Sequence, residues 1–337
     1  MVEAHQHLDN CKIPLIQSLD SIRPEDIETH GGKATSLAHL RREGFRTPRG
    51  FSISSHNFVR MRDRIPDVIR LLDKIESVDD FEEMLLLAEK IQTLVSLCQL
   101  GEDLKSEIMK GLQSMQESTT GSKAGYAVRS SATIEDRSDI SFAGQAETLL
   151  CIRNTSDIFE AVKRVWRSAY SPSAAIYLKS KGIPLKQVKM AVVVQEMIPA
   201  VVSGVMFTAN VVNSNTNEML INATWGLGET LVSGRVIPDT FILSKKPRRV
   251  LQRELGTKMI TSIASVSENS AKATTHDTPR EKREEFTLDN RLVLKVAQIG
   301  LEIEQMMGTP QDIEWCIKSD GEIVILQSRP ITTLSIP

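Results

Sequence analysis

Residues 125–150 read GYAVRSSATIEDRSDISFAGQAETLL, and the fold depends on how this stretch is understood. Tyr126, Ala127 and Val128 make a short apolar strand that delivers Arg129 at its end. Ser130, Ser131 and Thr133 follow, then an acidic patch at Glu135, Asp136 and Asp139. Small residues (Ser141, Ala143, Gly144) lead to Gln145, Glu147 and Thr148. A loop so rich in small and hydroxylated residues lets backbone N–H groups come close to a phosphate, and an arginine fork beside it matches phosphate oxygens. Alone, the stretch would be an ordinary strand with a Ser/Asp-rich surface turn. Its chemistry depends on what distant segments supply.

Upstream, residues 29–45 read THGGKATSLAHLRREGF. Gly31 and Gly32 break the chain, and Lys33 opens a helix with an apolar face of Leu37, Ala38, Leu40 and Phe45, ended by Gly44. A lysine after two glycines is a common solvated helix start. It is also an ammonium beside a helix N-terminus, where phosphate oxygens are favoured. The segment is not a P-loop, lacking both the upstream glycine and a Ser/Thr directly after the lysine. Residues 56–117 read as amphipathic helices, with Ser77 and Asp79 as N-caps. Further helices are expected at 157–170 and from Pro172.

Downstream, residues 188–198 form a buried strand that exits through Gln195 and Glu196. Its backbone could meet a flat heterocycle, or it could be a core strand before the Pro199 turn. Strands are expected at 202–208 and 219–225, the second leading into the glycine-rich turn at 225–229. A hairpin-like region covers 241–265, and the polar, mixed-charge stretch 266–286 reads as a mobile loop. Residues 288–307 form a helix stopped by Gly308 and Pro310. Two strands, 311–317 and 323–327, close the chain around a Ser319-Asp320-Gly321 turn.

These last strands carry the acids. Asp312 and Glu314, two apart, share one face, as do Gln327 and Arg329 on the neighbour. Antiparallel pairing puts Glu314 next to Gln327, with Arg329 nearby. A carboxylate and an amide oxygen are hard ligands suited to Mg²⁺ held partly by substrate phosphates. An arginine beside them can neutralise charge that builds up in phosphoryl transfer. As an isolated hairpin, the same residues would be a surface Glu–Arg pair of little energetic weight.

Composition sets the frame. The chain has 337 residues, 41% hydrophobic and 25% charged, with a net charge of −2. This fits a globular protein of two or three domains and gives no overall basic surface for nucleic acid or membrane. No run of about 18 apolar residues is present, and the first twelve residues lack the apolar core of a secretory signal. Four dispersed cysteines, without a CxxC pair, read as free thiols. A cytoplasmic location is expected.

Taken together, five segments in order resemble the N-terminal nucleotide-binding domain of phosphoenolpyruvate synthase, pyruvate phosphate dikinase and rifampicin phosphotransferase. They are GGKATSLAHLRREGFRTPRGFSIS, VRSSATIEDRSDISFAGQAETLL, VVVQEMIPAVVSGVMFT, TWGLGETLVSGRVIPDTF and PQDIEWCIKSDGEIVILQSRPIT. The resemblance implies an α+β ATP-grasp fold, two lobes with ATP in the cleft between them. One lobe would span 1–194, with a helical insertion at about 56–117, and the other 195–337. It implies that Lys33 and Arg129 contact phosphates, that Gly144 and Thr148 belong to the loop covering them, and that Gln195 and Met197 lie beside adenine. Glu314 and Gln327 would bind Mg²⁺ and ATP, and Arg329 would stand at the transferring phosphates. Asp312 and Arg235 lie in matching motifs. One departure is Ala34-Thr35 after the lysine, where the family has Gly or Asn and then Ala.

The implied activity is ATP-dependent phosphorylation of a carrier histidine on the way to a small-molecule acceptor. That histidine would sit on a swivelling domain, in a segment beyond this sequence or on a partner chain, because none of the six histidines here lies in a carrier motif. Two alternatives stand beside it: a self-contained ATP-grasp kinase or ligase acting directly on a small molecule, and a non-catalytic nucleotide-sensing module. The SGRVIPD segment leans slightly towards the rifampicin phosphotransferase side.

Overall fold

The computed structural model describes residues 13–117, 124–133, 147–267, 270–332 and 334. Gly144 and the acidic patch at 135–139 lie outside the described residues. A first sheet collects strands from the front of the chain: β1 (Ile16–Ser18), β2 (Gly50–Ile53), β3 (Tyr126–Ala132), β4 (Thr148–Ile152) and β5 (Met190–Glu196), in the order β1-β2-β5-β3-β4. Residues 197–199 lead directly into a second sheet. It holds β6 (Ala200–Phe207), β7 (Glu218–Trp225), β8 (Asp239–Ser244) and β9 (Arg249–Glu254). Between β9 and the last two strands comes a separate hairpin, β10 (Ile260–Val266) and β11 (Ala271–Asp277). The final strands, β12 (Gln311–Lys318) and β13 (Ile323–Pro330), complete the order β13-β12-β6-β7-β8-β9.

Helices cover both faces of the first sheet: α1 (Ile27–Arg42) lies on the Val193 face, and α2 (Ser55–Asp63), α3 (Pro66–Glu76), α4 (Phe81–Leu97), α5 (Glu102–Glu117), α6 (Thr155–Ser168) and α7 (Pro172–Ser180) pack on the opposite one. Their apolar residues recur at helical spacing, so each buries one stripe. α2 to α5 are the helices expected over 56–117. Val192 and Val194 of β5 point into this core, where Phe58 stacks on Tyr170 with ring centroids 5.5 Å apart. The N-caps differ from expectation. Ser77 lies at the C-terminal end of α3, and Asp80, not Asp79, caps α4 by accepting from the Glu83 N–H at 2.7 Å.

The second sheet rests on α10 (Asn290–Met307), started by Asp289, which accepts from the Leu292 N–H, and stopped by Gly308 at φ 73°. Trp315 of β12 is fully buried here. It fixes the opposite strand, because a Cβ at Gly204 of β6 would lie 2.2 Å from its ring. Two short helices, α8 (Glu229–Val232) and α9 (Arg280–Glu284), and two 3-10 turns, Pro24–Asp26 and Leu185–Gln187, complete the described elements.

α1 joins the halves. Gly31 takes φ 71° and ψ 169°, so a helical turn precedes it and the longer helix starts again beside Lys33. A Cβ on Gly31 would meet the Ser131 carbonyl oxygen at 2.3 Å, so only glycine lets the turn approach β3 so closely. The Ala34 N–H donates to Ser131 Oγ at 3.2 Å. Ala34, Leu37 and Ala38 bury against Val193 of the first sheet, while Leu40 belongs to the core of the second.

The expected mobile loop at 266–286 is corrected by the structure. β10 and β11 pair antiparallel from Ile260↔Asp277 to Val266↔Ala271, and α9 follows. β11 is mostly small and hydroxylated, and the apolar residues of β10, Ile260, Ile263 and Val266, recur every third position across both faces, so no period of two announces the pair. The hairpin crosses to the other half: Ala264, Ala271 and Ala273 pack on a cluster of Ala127, Cys151, Met197 and Leu227. Arg153, just past β4, donates to the Ser267 carbonyl at 2.7 Å.

Candidate functional site

Where the two sheets face each other, β3 brings Arg129 against the β12–β13 pair. Pairing in that pair sets Glu314 opposite Gln327 and Asp312 opposite Arg329, as period-two spacing required. Arg129 is nine-tenths buried. Its Nη2–H donates to Glu314 Oε2 at 2.6 Å and to Gln327 Oε1 at 2.8 Å, and its Nη1–H donates to the Leu326 carbonyl at 3.0 Å. Its Nε is buried with no hydrogen-bond partner. Arg329 forms a two-pronged ion pair with Asp312, Nε and Nη2 donating to Oδ2 at 2.9 and 2.7 Å.

Electrostatics follow this placement. Burial alone would push the Glu314 carboxyl up, but the charge and hydrogen bond of Arg129, with Lys33 and Arg329 behind, outweigh it and hold Glu314 below the usual carboxylate range. Asp312 goes the other way: burial raises it, and its Arg329 partner does not fully offset the rise. Two acids on one strand face thus have different environments, one poised as an anion and one occupied in holding an arginine.

Beside Arg129 opens a cavity of about 390 Å³. Arg129, Thr148, Gln195, Met197 and Glu314 line it, together with the Gly228–Glu229 turn and the Leu150 and Leu227 side chains. Its apolar end lies under the β10–β11 hairpin, and its charged end is the arginine–glutamate pair. Gln195 Oε1 is buried and unpartnered. The Met197 N–H is already used, donating to the Gly125 carbonyl at 2.9 Å. Lys33 and Arg329 do not line the cavity, but both lie close enough to Glu314 to favour its anion. Arg235 follows α8 and does not line the cavity, but its Nη2 lies 3.4 Å from Oε1 of Glu229, which does.

Glu229 is a cavity residue that sequence reasoning did not single out. Its Oε1 accepts from the Ser262 hydroxyl at 2.8 Å, so it links the glycine-rich turn to the hairpin. The TWGLGE turn was the signal for it, but its partner on the hairpin was not visible in sequence. Among the described residues no group of three or more His, Cys, Asp or Glu side chains could hold a metal ion. Any divalent cation here would take two protein oxygens, Glu314 Oε2 and Gln327 Oε1, which already converge on one cationic nitrogen. That donor pair suits a metal supplied with phosphate ligands of its own.

Comparison with known proteins identifies the family. The family model described as "Pyruvate phosphate dikinase, AMP/ATP-binding domain" matches residues 27–336. A probable phosphoenolpyruvate synthase of Methanocaldococcus jannaschii is 32% identical over 335 residues, covering 98% of this chain and 28% of that protein. A phosphoenolpyruvate synthase of Pyrococcus furiosus is 32% identical, with 95% and 44% covered. A rifampicin phosphotransferase of a Streptomyces species is 36% identical, with 95% and 36% covered. The chain therefore spans less than half the length of these relatives. No described helix is long and apolar enough to cross a membrane. With its α+β, two-sheet ATP-grasp architecture and a family match running almost end to end, the chain belongs to the pyruvate phosphate dikinase AMP/ATP-binding domain family.

Proposed function

We propose that the chain binds Mg-ATP between its two sheets and transfers a phosphoryl group from it to a carrier histidine on a swivelling domain outside this sequence, from which a small-molecule acceptor is phosphorylated. The observation that supports this best is the meeting of Arg129 from the first sheet with Glu314 and Gln327 from the second, at the mouth of a cavity with one apolar end. In this reading the lobes are 1–194 and 195–337, a division that falls near the end of β5, beside the 197–199 connection. Adenine takes the apolar end, next to Gln195 and Met197. Lys33 and Arg129, with Gly144 and Thr148 of the covering loop, contact the phosphates. Glu314 and Gln327 supply protein oxygens to Mg²⁺, which when bound shields phosphate charge. Arg329, held in orientation by Asp312, neutralises charge that develops during transfer.

In the balanced reaction the histidine nitrogen attacks the β-phosphorus, the bond to the α-phosphate oxygen breaks, and AMP leaves. Water or inorganic phosphate takes the γ-phosphoryl group, giving phosphate or pyrophosphate. The experiment is a nucleotide product assay on the chain mixed with a carrier-histidine domain. AMP with phosphohistidine is expected. ADP formed with a small-molecule acceptor and no carrier would replace this reading with direct phosphorylation, and a chain that binds ATP without either product would be a sensing module.

A further inference from the structure

The geometry points to a second role for Arg129: in the nucleotide-free protein its guanidinium is a placeholder on the divalent-cation site, so Glu314 and Gln327 take a metal only once a polyphosphate has drawn the arginine away. The inference rests on the Mg-ATP reading of this cleft. Nη2 lies 2.6 Å from Glu314 Oε2 and 2.8 Å from Gln327 Oε1. Oxygen ligands hold Mg²⁺ at about 2.0–2.1 Å, so a metal between these two oxygens would need the space the nitrogen fills. A dication so close to the guanidinium is also repelled by its charge.

Free metal has little means of evicting this arginine. Nη1 is anchored on the Leu326 carbonyl, and the side chain is nine-tenths buried. Two protein oxygens also offer a small, hard cation less than its water shell does. A polyphosphate is a better competitor, since its oxygens accept paired guanidinium N–H bonds. The buried, unpartnered Nε is a donor that the present pairing leaves unused, available to such an acceptor. The exchange is then one of partners: arginine passes from carboxylate to phosphate, and the carboxylate and amide pass from arginine to metal. The site is closed to free divalent cation and opened by nucleotide.

The test uses the full chain and Mn²⁺, followed by the loss of its free paramagnetic resonance signal. Without nucleotide, wild-type protein should leave Mn²⁺ free, whereas Arg129→Met should bind it at least tenfold more tightly, and Arg129→Met with Glu314→Gln should lose that gain. With ATP present, the wild type should retain Mn²⁺ and nucleotide together in equilibrium dialysis, where a protein-free Mn-ATP control passes through. Equal Mn²⁺ affinity of wild type and Arg129→Met without nucleotide overturns the placeholder, even where Mn-ATP binding upholds the site. Failure of the wild type to bind Mn-ATP overturns the site reading itself. Melting curves establish that the variants are folded; should Arg129→Met not fold, Arg129→Gln takes its place with the same expectation and the same refutation.

Discussion

Glu314 is the carboxylate that the surrounding cations keep ionised, so its removal is the sharpest test at the level of single residues. Glu314→Ala should abolish Mg-dependent nucleotide turnover, and turnover at the wild-type rate would remove it from the metal site. Arg329→Ala should differ: ATP affinity, measured by calorimetry, falls less than threefold, while turnover falls by about 10³. Equal losses in both would mean that Arg329 binds ground state and transition state alike. The placing of these residues was legible early. Two-residue spacing put Asp312 with Glu314 and Gln327 with Arg329, and their cross-strand pairing followed. The partners were less legible. That Arg329 would hold Asp312, leaving Glu314 to Arg129 some 185 positions earlier, depends on how two sheets face each other, which no local pattern encodes.

At the level of elements, buried polar groups govern what each segment tolerates. Asp239 at the start of β8 pairs with Lys258 at 2.5 Å, both fully buried, and also accepts from the Thr287 N–H and hydroxyl, tying β8 to the entries of β10 and α10. Removing one partner strands the other charge, so Asp239→Ala should cost about 3–5 kcal/mol by urea denaturation. In the first turn of α1, His30 is fully buried; its Nε2–H donates to Gln17 Oε1 at 3.1 Å, and Nδ1 has no partner. Burial, aided by His56 and opposed by Asp26, lowers its pKa from 6.5 to about 4. The unfolded chain therefore takes up a proton that the folded chain refuses, and stability falls as pH drops from about 6.5 towards 4. The loss should be on the order of 3 kcal/mol, and His30→Gln should remove that part of the slope in urea titrations at pH 7 and pH 4.5. The helices of residues 56–117 were readable because each carries an apolar stripe. The β10–β11 hairpin was not, because Ala273, Thr274 and Thr275 offer neither an apolar face nor a turn signal, and its order comes from docking on β4 and the glycine-rich turn.

For the whole molecule, ligand and core should act on one melting transition. ATP at about 100 times its dissociation constant should raise the midpoint by about 4 °C, given the entropy of unfolding a chain of this length. Leu40→Ala should cost about 2–5 kcal/mol and lower the transition of both halves together, because a helix seated on the first sheet sends this side chain into the core of the second. Two separate transitions in calorimetry would show that the halves melt independently. The shared helix also bears on nucleotide exchange. Ser36 Oγ donates to the Ser328 carbonyl at 2.6 Å, and the Ile325 N–H to the Arg46 carbonyl at 2.8 Å, so this end of the cleft is riveted. At the far end, the hairpin grips the opposite half through alanines and the Arg153–Ser267 bond. Residence time of a bound nucleotide should therefore be set by how often that light grip lets go, and shortening Arg153 would hasten release while leaving the rivets intact.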